Sequence, residues 1–88
     1  MLIPKRSSQF KRDFKRAMRR GLTVSKIEKV MKMLVQEEPL DAKYKDHQLS
    51  GDYKGHRECH IEPDWLLIYV IQEKEVFFVR TGTHSDLF

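Results

Sequence analysis

Cysteine is nearly absent from this 88-residue chain: Cys59 is the only one, so no disulfide can close within it. A lone thiol fits a reducing, cytoplasmic setting. Long apolar runs are missing too. The longest, Leu66–Ile71, falls far short of the roughly 20 residues a membrane helix needs, so no membrane is expected among the partners. Met1-Leu2-Ile3-Pro4 leads straight into charged sequence, without a signal-peptide pattern. There are only three prolines and four glycines, and no repeats, low-complexity segments or linkers. What remains is one small domain, residues 1–88, with 40% hydrophobic residues for a single core and 34% charged residues for a solvated surface.

The charge is unevenly placed. Residues 5–20 carry eight basic side chains (Lys5, Arg6, Lys11, Arg12, Lys15, Arg16, Arg19 and Arg20) against one acid, Asp13. That is a local +7, which leaves −3 for the rest of a chain whose total is +4. Such asymmetry points to a polyanion or an acidic protein partner, although a solvated helix face would look the same.

Taken in order, Leu2–Arg6 reads as a short strand that Pro4 confines to an edge or a strand start. Ser7 or Ser8 caps a helix with the apolar stripe Phe10, Phe14, Ala17 and Met18, closed at Gly21. Thr23 caps a second helix that buries Val24, Ile27, Val30, Met31, Leu34 and Val35, and Pro39 stops it. From there to Lys54 the chain is polar and reads as a long surface loop. Strands follow at 56–61, 65–72 and 75–81, with turns at Glu62-Pro63 and Glu73-Lys74, then a short tail. The order β-α-α-β-β-β predicts an α+β domain, with two antiparallel helices on one face of a small antiparallel sheet.

With two-residue turns, His60 pairs with Trp65 and Leu67 faces Arg80. This expects His60, Trp65 and Arg80 on one side of the sheet, with the Asp64 carboxylate beside them. A bulge would break that parity. Imidazole, carboxylate, guanidinium and indole together could cleave an RNA phosphodiester without a metal. A base takes the 2′-hydroxyl proton, the arginine steadies the phosphorane charge, an acid protonates the leaving oxygen, and a base stacks on the indole. The bland alternatives are a surface histidine, a structural ion pair for Arg80 and a core tryptophan. For a metal centre, His56 and His60 would face one way along a strand and Cys59 the other, so no metal site is expected. Cys59 reads as a buried apolar residue on the helix-covered face.

These residues sit within a longer pattern: Lys45-Asp46-His47, Gly51-Asp52-Tyr53-Lys54-Gly55, Arg57–Tyr69 and Arg80-Thr81-Gly82-Thr83-His84, ending at Leu87-Phe88. In that order they resemble the YafQ-like toxins of the RelE superfamily, messenger-RNA-cleaving members of type II toxin–antitoxin systems. The resemblance implies a RelE/ParE-like fold, entry into the ribosomal A site and cleavage of bound mRNA with no cofactor. It implies catalytic roles for His47, His60, Asp64, His84 and Arg80, with His84 the general acid and Asp64 or His60 the base or its orienting partner. Trp65 and Phe88 would be substrate-site aromatics. Lys54 and Arg57 are further RNA- or antitoxin-facing candidates. Lys11, Arg12, Lys15, Arg16, Arg19 and Arg20 would grip ribosomal RNA. A DinJ-like antitoxin would hold the toxin inactive, and the complex would bind operator DNA chiefly through the antitoxin. Two other functions fit the same fold: a gyrase poison of the ParE branch, against which the histidines argue, and a plain nucleic-acid- or antitoxin-binding module.

Overall fold

The computed structural model describes all of residues 1–88. Five strands form one sheet in the order β1-β5-β4-β3-β2: β1 Ile3–Arg6, β2 His47–Gln48, β3 Arg57–Glu62, β4 Trp65–Gln72 and β5 Glu75–Gly82. The helices are α1 Ser8–Arg19, α2 Val24–Val35 and a single-turn α3 His84–Leu87. The α+β architecture and the three C-terminal strands match the sequence expectation to within a residue. Three differences matter. β1 pairs with β5 in parallel, and it is an edge strand, as Pro4 requires. The expected loop before Lys54 contains β2 and two 3-10 turns, Ala42–Tyr44 and Gly51–Tyr53. The expected tail is α3, closed by a capping box between Thr83 and Asp86.

α1 and α2 cover one face. Phe10, Ala17, Ile27, Val30, Met31 and Leu34 pack on Cys59, Ile61, Trp65, Leu67, Tyr69, Val76 and Phe78. Burial pushes the Cys59 thiol up to about 12, helped by the nearby Asp46 and Glu58 carboxylates, so it stays protonated. The opposite face has a smaller apolar floor of Leu66, Ile68 and Leu87, bordered by Leu49, Tyr53 and Val79.

α1 is fixed to β5 at its start and in its middle, and its far end closes on itself. The Ser7 hydroxyl accepts from the Phe10 N–H at 2.9 Å and donates to the Val79 carbonyl at 2.7 Å, so one side chain caps the helix and docks it. At the far end, Gly21 takes φ 80°, its N–H reaches the Met18 carbonyl and Leu22 N–H reaches Ala17, which together make a Schellman close.

Between them sits Asp13, 1% exposed, three residues after Phe10 and therefore on the buried side of the helix. β1 stops pairing at Phe78, and Asp13 takes over the vacated edge of β5. It accepts from the Thr81 N–H at 3.2 Å and from Arg80 Nε and Nη2 at 3.0 and 3.1 Å. Gln9 and Arg16 complete its partners at 3.0 and 3.1 Å. Burial pushes this carboxyl up, but the Arg80, Gln9 and Thr81 hydrogen bonds outweigh that and hold it below the usual range. Removing one partner of a buried pair strands the other charge. Asp13→Ala is therefore expected to lower stability by about 3 kcal/mol or more, read as a reduced urea midpoint. A midpoint unchanged from the parent would show the pair to be incidental.

Candidate active site

Two bulges set which side chains meet. In the β3–β4 pair, His60 lies opposite Leu66 while Glu62 lies opposite Trp65, with Ile61 the extra residue. In the β4–β5 pair, Ile68 lies opposite Arg80 while Tyr69 lies opposite Phe78, with Val79 the extra residue. The turn after β3 is Pro63-Asp64, one residue later than the sequence predicts. His60 and Arg80 therefore do share a face, the one floored by Leu66 and Ile68, but through a different register from the one expected.

Trp65 does not join them, which corrects the expectation of a stacking surface. It is 2% exposed on the helix-covered side, where its indole N–H donates to the Thr81 hydroxyl at 3.0 Å. That hydroxyl in turn donates to the Leu66 carbonyl at 2.6 Å. The extra residue in the hairpin is the cause, since a one-residue shift moves a side chain to the other face. Arg57 also lies on the far side. Opposite Tyr69, it pairs with Asp46 at 3.2 Å, and the Tyr69 hydroxyl donates to the same oxygen at 2.7 Å. The Asp46 carboxylate holds the Arg57 guanidinium's pKa above its ordinary value. This contact pins the segment before β2.

On the open face the histidines gather. The His84 ring centroid is 5.8 Å from His60, and His60 is 6.2 Å from His47. Asp64 lies at the hairpin tip, and one of its oxygens accepts from both the backbone N–H of His84 at 2.9 Å and its Nδ1 at 2.6 Å. The backbone donor first, then the ring, holds the Asp64 carboxyl below its ordinary value. With Nδ1 committed to the carboxylate, Nε2 of His84 is the nitrogen left for a substrate.

Glu58, 5% exposed, stands between the other two rings, at 3.7 Å from His60 Nε2 and 3.6 Å from His47 Nε2. His47 Nδ1 lies 2.7 Å from the Lys45 carbonyl and donates to it. Arg80 reaches the site from β5, 22% exposed at its side chain. Its contact with Asp13, and secondarily with the Tyr53 hydroxyl, holds the guanidinium's pKa above its ordinary value. Phe88 is 63% exposed, packed edge-on against Tyr53 at 5.7 Å, and Lys54 is exposed beside that pair. His56 is half-buried against Tyr53, and its Nδ1 has no partner.

The sequence reading missed three residues of the site. Glu58 could be found from the alternation that puts it on the His60 face. Asp13 is the one acid in a basic helix and falls inside its apolar stripe. Tyr53 gave no signal beyond its type.

The basic helix is also less free than its composition promised. Arg20 binds Asp86 through two bonds of 2.6 and 3.2 Å, and Arg16 lies between Asp13 and Asp86. Arg12 bonds Gln9 at 2.8 Å. Lys11, Lys15 and Arg19 are the exposed cations without a side-chain partner. Arg16 and Arg20 thus anchor α3. Gly82 makes room for this anchor, because a Cβ there would stand 2.9 Å from the Asp86 side chain.

Among donors, Glu58, His60 and His84 offer ligand atoms within 4.8 Å of one another. Two imidazoles and a carboxylate suit a borderline divalent ion with an open coordination position. The set differs from the His56, Cys59 and His60 combination weighed from the sequence.

A family described as the YafQ bacterial toxin of type II toxin–antitoxin systems matches residues 2–88. The chain belongs to the YafQ family. The mRNA interferase toxin YafQ of Escherichia coli strain K12 is 46% identical over 83 residues, which cover 93% of this chain and 90% of that protein. The crystal structure of the E. coli DinJ–YafQ complex superposes with a TM-score of 0.93 at 43% identity, covering 100% of this chain and 99% of the other. A metal-bound toxin from Helicobacter pylori superposes with a TM-score of 0.93 at 44% identity over the whole of both chains. No helix in this YafQ-family chain is long and apolar enough to cross a membrane.

Asp86 yields a pH prediction. Hydrogen bonds from Arg20, then from the Thr83 backbone, hold its carboxyl well below the usual range. A depressed folded pKa adds stability above the unfolded value, near pH 4, that is lost as pH falls toward the folded one. Asp86→Asn should therefore flatten the acid limb of the thermal midpoint below about pH 4, as followed by circular dichroism. Parallel limbs for parent and variant would contradict the anchor.

Proposed function

We propose that this chain is an endoribonuclease toxin that cuts messenger RNA and so stops translation. The observation that carries this is the Asp64–His84 pair, 2.6 Å apart, set beside His60 on the face that Arg80 also reaches. The carboxylate fixes the tautomer and direction of the His84 ring, so Nε2 delivers the proton to the leaving 5′ oxygen. His60, next to the buried Glu58, takes the proton from the 2′-hydroxyl, whose oxygen attacks the adjacent phosphorus. Arg80 keeps Nη1 outside its bonds to Asp13 and turns it to the phosphoryl charge as it develops. His47, on β2, shares proton transfer or holds a neighbouring phosphate. Phe88 and Tyr53 offer aromatic faces for a flanking base. A 2′-hydroxyl nucleophile restricts the reaction to RNA.

The wider setting is part of the same proposal. Cleavage takes place on the ribosome in its A site, in the cytoplasm, with Lys11, Lys15 and Arg19 nearest to ribosomal phosphates. A DinJ-like antitoxin covers the toxin, and the complex represses its operon at operator DNA through the antitoxin. Support for the antitoxin comes from the complex formed by the E. coli relative.

A divalent ion fits Glu58, His60 and His84, and the H. pylori relative is metal-bound. Such an ion would act as a Lewis acid at an open position. The same three side chains are the ones the acid–base reaction uses.

The test is cleavage of a defined message on a programmed ribosome. His84→Gln and His60→Gln are each expected to slow cutting by about 10²- to 10⁴-fold while keeping the parent's circular dichroism spectrum. Cleavage at the parental rate by either variant would overturn the assignment. Intact messenger together with a DNA-damage response would favour the gyrase-poison alternative.

A further inference from the structure

A cleft of about 480 Å³ opens at the outer edge of β3, away from the histidine cluster's floor. β2 pairs only as far as Glu58, so the remainder of β3 has no strand beside it on that side. The cleft fills this gap between α2, the turn at Ala42–Tyr44 and the end of β3. Four lysines border it, Lys26, Lys29, Lys43 and Lys45, against one carboxylate, Glu62. Lys26 is paired with that carboxylate at 3.1 Å. Lys43 lies 5.2 Å from the centroid of the Tyr44 ring, which leaves its N–H donors available. Lys29 and Lys45 have no acidic partner. This is a concentrated positive site, separate from α1, where Arg16 and Arg20 are already neutralised.

We propose that this cleft binds the sugar–phosphate backbone of the RNA strand being cut, holding on its lysines the phosphates next to the scissile one. The proposal rests on the endoribonuclease assignment for the direction of the strand. Three observations favour it over an acidic peptide.

His60 borders the cleft as well as belonging to the catalytic cluster, so a strand with one phosphate at His60 and Arg80 runs directly into it. Of the apolar side chains at its border, Tyr44 and Ile61 are buried and Pro63 alone is exposed, which leaves no deep socket for the anchors of a protein interface. Ammonium groups on flexible stems suit a chain of phosphates that offers charge without fixed geometry.

Lys45 ties the cleft to the chemistry. Lys45 adopts φ 49°, a left-handed conformation unusual for a residue with a side chain. It is held there between buried Tyr44 and Asp46, which Tyr69 and Arg57 fix. In that conformation the residue lines the cleft while its carbonyl accepts from His47 Nδ1 at 2.7 Å. A phosphate seated on Lys45 is thus one peptide unit from the group that orients His47.

The test uses a single-stranded RNA with 2′-O-methyl groups throughout, which lacks the nucleophile, and fluorescence anisotropy across a range of salt. The triple substitution Lys29→Gln, Lys43→Gln, Lys45→Gln is expected to weaken binding at least tenfold and to reduce the slope of log K on log salt by about 2, from roughly 0.7 per phosphate contact on a single strand. A second triple, Lys11→Gln, Lys15→Gln, Arg19→Gln, removes the same charge from α1 and should lose much less.

Equal losses in both triples would mean bulk charge and would overturn the cleft. So would parental RNA binding by the cleft variant combined with weakened binding of the antitoxin, which would make this a protein interface. Thermal melts establish that both variants fold. If the parent cuts nothing on programmed ribosomes yet the cleft variant loses RNA, the nuclease assignment fails and the cleft stands. Cleavage by the parent with unchanged RNA binding by the cleft variant sinks the cleft alone.

Discussion

One buried carboxylate ties the helical layer to the reactive face. Asp13 accepts five hydrogen bonds on two oxygens, from Gln9, Arg16, Arg80 and the Thr81 N–H. A buried charge is tolerable only when paired and fully bonded, and this one is. Its position follows from a shortage elsewhere: β1 ends at Arg6, so the upper half of β5, paired with β4 on one side, has no strand on the other. α1 lies along that edge, and Asp13 supplies the acceptor a sixth strand would have given. The same contact decides where the Arg80 guanidinium points. Fold closure and the proposed phosphate contact therefore share one interaction.

From Asp13 the chain of dependence runs outward. Arg16 bridges Asp13 to Asp86, Arg20 clamps Asp86 further, and Asp86 closes the capping box of α3. α3 is a single turn and cannot hold itself together in water. Its place is set by these ion pairs, by Leu87 in the apolar floor, and by Asp64, which accepts from both the backbone and the ring of His84. The acid of the proposed reaction is thus positioned by electrostatic contacts on an otherwise weak element. The proposed base, His60, stands on β3 opposite the wholly buried Leu66 of β4. The two halves of the site should respond differently to salt and acid, because exposed ion pairs are screened and buried apolar packing is not.

Much of this was legible in the sequence. Period-3.6 stripes located α1 and α2, and β4 spans the residues its apolar run predicted. The single Cys59 was rightly placed in the core. His60 and Arg80 were rightly placed on one face, although by a register that two bulges replace. The bulge at Ile61 is why Trp65 was misassigned. A bulge adds one residue to one strand, leaves composition and alternation nearly unchanged, and still inverts every side chain beyond it. The anchoring role of Arg16 and Arg20 was hidden for a different reason. Their acid, Asp86, lies 66 residues from Arg20, and no local charge count reveals a partner that distant.

The bulges also explain how so small a sheet can serve two opposed faces. At Ile61 the extra residue turns Glu62 toward α2, where it meets Lys26, and leaves His60 alone on the open side. At Val79 it lets Val79 join the apolar floor while Arg80, the very next residue, stands opposite Ile68 on that same face. Strict alternation would have allowed only one of those two. A regular sheet would have had to choose between a floor for the site and a cation at its rim. A single irregularity in β5 supplies both, and the helix beside it, through Asp13, keeps the cation where the irregularity puts it.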